Sequence, residues 1–174
     1  MHKDLIDLAR TLAGIDQRKP RQASLRRAVS TAYYAVFHYL VDEVCRVQIG
    51  TQNSQKEHRR VLARAFVHTS MKDACSSFAG GTLKATIIRK LPRDANGKYT
   101  IPVEIMDLAG TFVELQEKRH LADYDLSERF QKAEVLTLID QVESHIDQFH
   151  SLAISDTRRF FLACLWAYKE LKSR

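Results

Sequence analysis

Cysteine is scarce in this 174-residue chain, and the three present, Cys45, Cys75 and Cys164, are an odd number at long, irregular intervals. They form neither a disulfide framework nor a C-x-x-C metal pair. Proline and glycine are as sparse, three and six residues, which excludes collagen-like and linker compositions. No apolar run approaches the roughly 18–20 residues that span a bilayer. Met1-His2-Lys3-Asp4 opens an amphipathic segment with acids at Asp4 and Asp7, unlike a secretory h-region or an acid-poor transit peptide. There is no Walker-type loop, no G-x-G-x-x-G and no G-x-S-x-G. The pairs His58/His68 and His145/His150 lack the i,i+3 or i,i+4 spacing of a helical metal site. What remains is 45% hydrophobic and 28% charged, enough apolar material for a sizeable core. The expectation is a single soluble, cytoplasmic domain with no metal, cofactor or membrane contact.

The net charge of +6 is uneven. Residues 1–100 carry 18 Lys and Arg against 8 Asp and Glu, whereas residues 101–174 carry 9 against 13. Such a field suits a polyanionic or acidic partner, or attraction between the two parts within one fold.

Helical periodicity dominates, and no alternating run requires a sheet. Leu5, Leu8, Leu12 and Ile15 predict a first helix over about 3–15. A second runs from an N-cap at Ser24 to about Val47, and its middle, Ala32 to Val41, is apolar nearly all round, as a central helix must be. A third is expected over about 55–79, stopped by Gly80-Gly81. Residues 81–101 are the least helical: Thr82 to Leu91 reads as a short helix or an extended arm. Lys84, Arg89, Lys90, Arg93 and Lys98 make that segment a phosphate-contacting or an ordinary solvated loop. Pro102 suits the first turn of a fourth helix over about 102–124, and Asp125 with Glu128 reads as the capping box of a fifth. Ser155 or Asp156 starts a last helix through Trp166 and Leu171. The fold class is therefore all-α, a bundle of five to six helices.

Two apolar stripes are interrupted by polar residues. In the fourth helix Ile105, Leu108, Phe112 and Leu115 step by three and four residues, and further steps of four land on Arg119 and Asp123, which can pair. On the central helix Arg27, Thr31, Tyr34 and His38 share one edge. Buried polar groups need partners, so the two edges are expected to share a cleft. Taken singly, His38 and Tyr34 are also what a packed core contains, and Arg119–Asp123 is also an ordinary surface pair.

Two segments carry a family resemblance. Leu25-Arg26-Arg27-Ala28-Val29-Ser30-Thr31-Ala32-Tyr33-Tyr34-Ala35-Val36-Phe37-His38 resembles the "LRRAVSRAYYAxFH" helix of small prokaryotic HEPN proteins, and Arg119-His120-Leu121-Ala122-Asp123-Tyr124-Asp125 resembles their "RxxADYD" motif. Their order and separation also fit that superfamily. The resemblance covers about residues 5–150 and leaves a further C-terminal helix, about 155–172, outside it. It implies an up-down bundle with one longer connection around 80–101, a homodimer, and a cleft at the junction of the protomers.

Many HEPN proteins are metal-independent ribonucleases, often toxins, marked by an Arg followed four to six residues later by a His. A guanidinium holds the phosphate and an imidazole moves protons near neutral pH. Here Tyr124 stands where that His is expected, and a phenol of pKa about 10 is a poor base. His120 adjoins Arg119 on another helix face, and His38 is the remaining candidate. The leading expectation is thus a nucleotide- or RNA-binding module using Arg27, Tyr34, Arg119, Asp123 and Tyr124. It would work with a nucleotidyltransferase-like partner in a toxin–antitoxin or defence system. The alternatives are an endoribonuclease with Arg119 and His38 or His120 as catalytic residues, and a dimeric scaffold.

Overall fold

The computed structural model of the chain describes residues 1–16, 19–80, 83–93 and 95–173. Among them are eight α-helices and no strand: α1 His2–Gly14, α2 Gln22–Ile49, α3 Lys56–Ala63, α4 His68–Phe78, α5 Ala85–Ile88, α6 Val103–Tyr124, α7 Lys132–Ser151 and α8 Asp156–Lys172. No helix among the described residues is long and apolar enough to cross a membrane. Gly81, the expected partner of Gly80 in a helix stop, and Thr82, the expected start of the arm, lie outside the described residues.

The all-α expectation holds, and the extra helices arise at identifiable places. The expected third helix is two. A stretch with no buried residue, α3, has no face to fix its direction, and the chain turns extended at Val67 (φ −118°, ψ 123°) before α4 buries Met71, Ala74, Cys75 and Phe78. Among the described residues of the arm, the one helix is the single turn of α5. Ser24 is no cap: α2 starts two residues earlier, with Arg21 O accepting from the Ser24 and Leu25 N–H groups, and the Ser24 hydroxyl bonds Asp16 at 3.3 Å. Asp125 does not start the fifth helix, which begins at Lys132. Its carboxylate accepts instead from the Ser127 N–H at 2.9 Å and hydroxyl at 2.6 Å, bonds that hold its pKa below the usual carboxylate range. At the far end of α2, Gly50 turns the chain at φ +104°, where a Cβ would collide with the Gln55 amide.

The chain divides into two compact units, Met1–Tyr39 with Thr111–His150, and Leu40–Gly110 with Ser151–Arg174. In the first, Tyr33 and Phe112 are fully buried with ring centroids 5.6 Å apart, and the α7 residues Ile139, Val142, Ile146 and Phe149 are buried along one stripe. Arg10 on α1 reaches Asp140 and Glu143 on α7 at 2.6 and 2.7 Å. The buried Thr111 hydroxyl meets His145 Nδ1 at 2.7 Å.

In the second unit α4 packs on α8 through an edge-to-face contact of Phe78 and Phe161, centroids 5.0 Å apart, and a short Ser77–Tyr168 hydroxyl bond. Arg158 is 4% exposed, salt-bridged to Glu43 at 2.8 Å and bonded to the Leu152 carbonyl. Burial raises the thiol pKa values of Cys45, to about 11, and Cys164, to about 12, and raises Cys75 as well. A protonated thiol is a poor nucleophile and metal ligand. Lys and Arg outnumber Asp and Glu 16 to 9 in this second unit, against 11 to 12 in the first. The net positive charge thus lies in the second unit, because the basic residues before position 40 are offset within the first unit by the acids of residues 111–150.

Candidate functional site

The first unit holds a cavity of about 430 Å³ between the N-terminal part of α2 and the C-terminal end of α6, lined by Ala23, Arg26, Arg27, Ser30, Tyr34, Arg119, Ala122, Asp123 and Tyr124. Its volume is in the range of small-molecule sites. The helical repeat explains the lining. Residues 23, 26/27, 30 and 34 step by three and four along α2, and 119, 122/123 step likewise along α6.

Arg119 is the centre of the arrangement. Its Nε approaches Asp123 Oδ2 at 2.7 Å in an ionic contact that is not an aligned hydrogen bond. Its Nη2 lies 3.5 Å from the Tyr34 hydroxyl, and its Cζ stands 5.7 Å from the ring centres of both Tyr33 and Tyr34. Asp123 in turn accepts from the Ser30 hydroxyl at 2.7 Å. Ser30, Asp123, Arg119 and Tyr34 therefore form one polar chain across the two helices. The Arg119 and Asp123 side chains are 22% and 23% exposed, so the guanidinium is oriented by the fold but still meets solvent. Arg27 is exposed, and among the described residues its guanidinium has no partner. Tyr124 stands at the rim, 67% exposed.

Arg26 has a different task. It donates to the carbonyls of Leu121, Ala122, Asp125 and Glu128 at 2.7–3.3 Å. Ala122 is among the acceptors that the C-terminus of α6 leaves unpaired, and Asp125 and Glu128 lie in the loop beyond it. Gln22 exchanges two hydrogen bonds with the Phe130 backbone, at 2.9 and 3.0 Å. The start of α2 thereby fixes both the end of α6 and the loop that follows it.

Comparison with family models, curated proteins and solved structures finds no match for this chain.

The structure brings Arg27, Tyr34, Arg119, Asp123 and Tyr124 to one cavity, from two segments about ninety residues apart. It places the two histidines elsewhere. His38 lies one turn further along α2, its ring stacked on Tyr34 at 6.1 Å, and the His120 ring packs against Tyr124 at 5.0 Å; neither lines the cavity. Thr31, expected on the same edge, turns its hydroxyl back to the Arg27 carbonyl at 2.7 Å. Ser30 takes the place expected of it. Among the described residues no three His, Cys, Asp or Glu side chains converge as metal ligands would. A second groove of about 460 Å³, between α6 and α7, includes Glu114, Lys118 and Glu134, with Glu114 and Lys118 3.7 Å apart. It brings no set of like-charged groups to a point.

Partial burial lowers the His38 pKa below the ordinary imidazole value. The unfolded chain then takes up a proton more readily than the folded one, so stability falls as pH drops from the unfolded value, about 6.5, toward the lower folded one. Thermal unfolding of wild type and His38→Gln between pH 7.5 and pH 5.5 is expected to show the steeper acid loss in wild type. Equal slopes would mean that His38 titrates normally.

Proposed function

We propose that this chain is a HEPN-type domain that binds a nucleotide or RNA in the cavity between α2 and α6. One observation carries the reading: Arg27, with no partner among the described residues, and Arg119, held between Asp123 and the Tyr33 and Tyr34 rings, face one cavity with tyrosines at its wall and rim. A guanidinium matches the geometry of a phosphate, and aromatic rings stack on splayed bases. In this reading Arg27 and Arg119 hold phosphate, Tyr34 and Tyr124 border the base, and Asp123 orients Arg119 with Ser30 behind it. The helical fold, the order of the two motifs and their meeting in space support the HEPN assignment. The family resemblance extends the proposal to a cytoplasmic homodimer with the cavity at the protomer junction. It extends it also to a nucleotidyltransferase-like partner in a toxin–antitoxin or defence module.

Binding is favoured over cleavage because Tyr124 occupies the position of the family's histidine and no imidazole lines the cavity. The test is fluorescence anisotropy with a labelled single-stranded RNA and, separately, competition by ATP. A hydrogen bond to a charged group contributes about 1.5–3 kcal/mol, so Arg27→Ala and Arg119→Lys should each weaken binding by roughly 10- to 150-fold. Wild type that binds neither probe, or variants that bind as wild type does, would overturn the proposal. Incubation with total RNA in EDTA separates the enzymatic reading: cleavage by wild type that disappears in Arg119→Ala would make the protein a ribonuclease.

A further inference from the structure

Helix α8 buries one face and leaves the other partly uncovered. Arg158, Phe161, Leu162, Cys164, Leu165 and Tyr168 are buried. At 100° per residue Asp156, Arg159, Phe160, Ala163, Trp166, Ala167 and Glu170 fall within about 60° of a single line on the opposite side. Trp166 is 44% exposed, Phe160, Ala163 and Ala167 are half-buried, and Arg159 and Glu170 are exposed. Among the described residues neither Arg159 nor Glu170 has an ionic partner.

Arg159 and Glu170 oppose their own helix, whereas Asp156 in the first turn suits it. Arg159 lies in the N-terminal turn region of α8 and Glu170 near its C-terminus, each at the end where the helix dipole disfavours its sign. A second helix lying antiparallel reverses both relations, because Arg159 then faces a C-terminal half and Glu170 an N-terminal half. We propose that this face docks on the same face of a second copy of the chain, as an antiparallel helix pair about a two-fold axis between Ala163 and Trp166. With that axis, Arg159 stands level with Glu170 of the other copy and beside its Trp166 ring, which offers an ion pair and a cation–π contact. Phe160 and Ala167 of the two copies meet on the other flank. The small side chain of Ala163 allows close approach at the centre. Every contact is made twice, as an isologous interface requires. The occupant is a second copy because Arg159 and Glu170 are matched in two opposite-charge pairs when the face meets itself, whereas a partner of uniform charge leaves one of the two facing its own sign.

Trp166 is the chain's single tryptophan, so its fluorescence, excited beyond the tyrosine band, reports this face alone. On raising the protein from sub-micromolar to hundreds of micromolar, the emission maximum should move to shorter wavelength together with an increase in sedimentation coefficient. Arg159→Glu and Glu170→Arg should each weaken association by about tenfold or more, and the double charge swap should restore it, since like charges across an interface repel. Both positions are exposed, and circular dichroism checks that the variants remain folded. A monomer at every concentration overturns the proposal. So does a dimer that ignores all three variants and leaves Trp166 emission unchanged, which is what association through the α2–α6 cavity alone would give.

Discussion

Replacing Arg158 by Ala is expected to destabilise the protein by roughly 3–5 kcal/mol, because it leaves Glu43 inside the fold without its counter-charge. Arg158 and Glu43 side chains are 4% and 12% exposed and meet at 2.8 Å. Arg158 also bonds the Leu152 carbonyl, and its own N–H is capped by the Ser155 hydroxyl at 3.2 Å. One side chain therefore ties the end of α2 to the turn before α8. The pair itself need not be stabilising against an apolar replacement, since desolvation of two charges is costly. The double variant Arg158→Met/Glu43→Leu should regain most of what the single variant loses. Urea unfolding midpoints for the three proteins check both statements, and a single variant within about 1 kcal/mol of wild type would show that water reaches Glu43 in the folded state.

The second large effect is expected at Phe112, where substitution by Ala should cost about 3–5 kcal/mol. Phe112 is fully buried against Tyr33, whose ring stands 5.7 Å from the Arg119 guanidinium. The loss should therefore appear at the cavity too. Tyr33 can relax into the space that Phe112 leaves and carry away one of the two rings that hold Arg119. Phe112→Leu retains most of the volume and should lie between wild type and Phe112→Ala in both unfolding free energy and RNA affinity. A Phe112→Leu variant as stable as wild type but weak in binding would separate the positioning of Arg119 from the stability of the core.

The helices were legible where a periodic apolar face meets a core. Ile105, Leu108, Phe112 and Leu115 predict α6, and all four are fully buried. Legibility fails where the deciding partner is remote in sequence. Residues 125–131 contain a good capping pattern, yet the carbonyls of Asp125, Glu128 and Phe130 are taken by Arg26 and Gln22, and a local rule for helix starts sees neither. The break at 64–67 has no proline or glycine to announce it. Within the candidate site, Arg119 and Asp123 stood out because charged residues interrupted an apolar stripe. Ser30 did not stand out, because a small hydroxyl among Ala and Val reads as packing material and its role appears only once Asp123 is opposite. Arg26 and Arg27 are neighbours in sequence with unlike tasks. One helical step of about 100° sends the first to the end of α6 and leaves the second open to a ligand.

The walls of the cavity lie far apart in the order of synthesis. Residues 23–34 emerge about ninety residues before residues 119–124, an interval of several seconds or more at about 5–20 residues per second. Until then Arg26, Arg27 and Tyr34 have no opposite wall, and the clamp of Arg26 and Gln22 cannot close before residue 130 has been made. The first unit thus gains its site only once α6 and the loop after it have been made, and a product truncated before residue 119 carries Arg26, Arg27 and Tyr34 with no opposite wall.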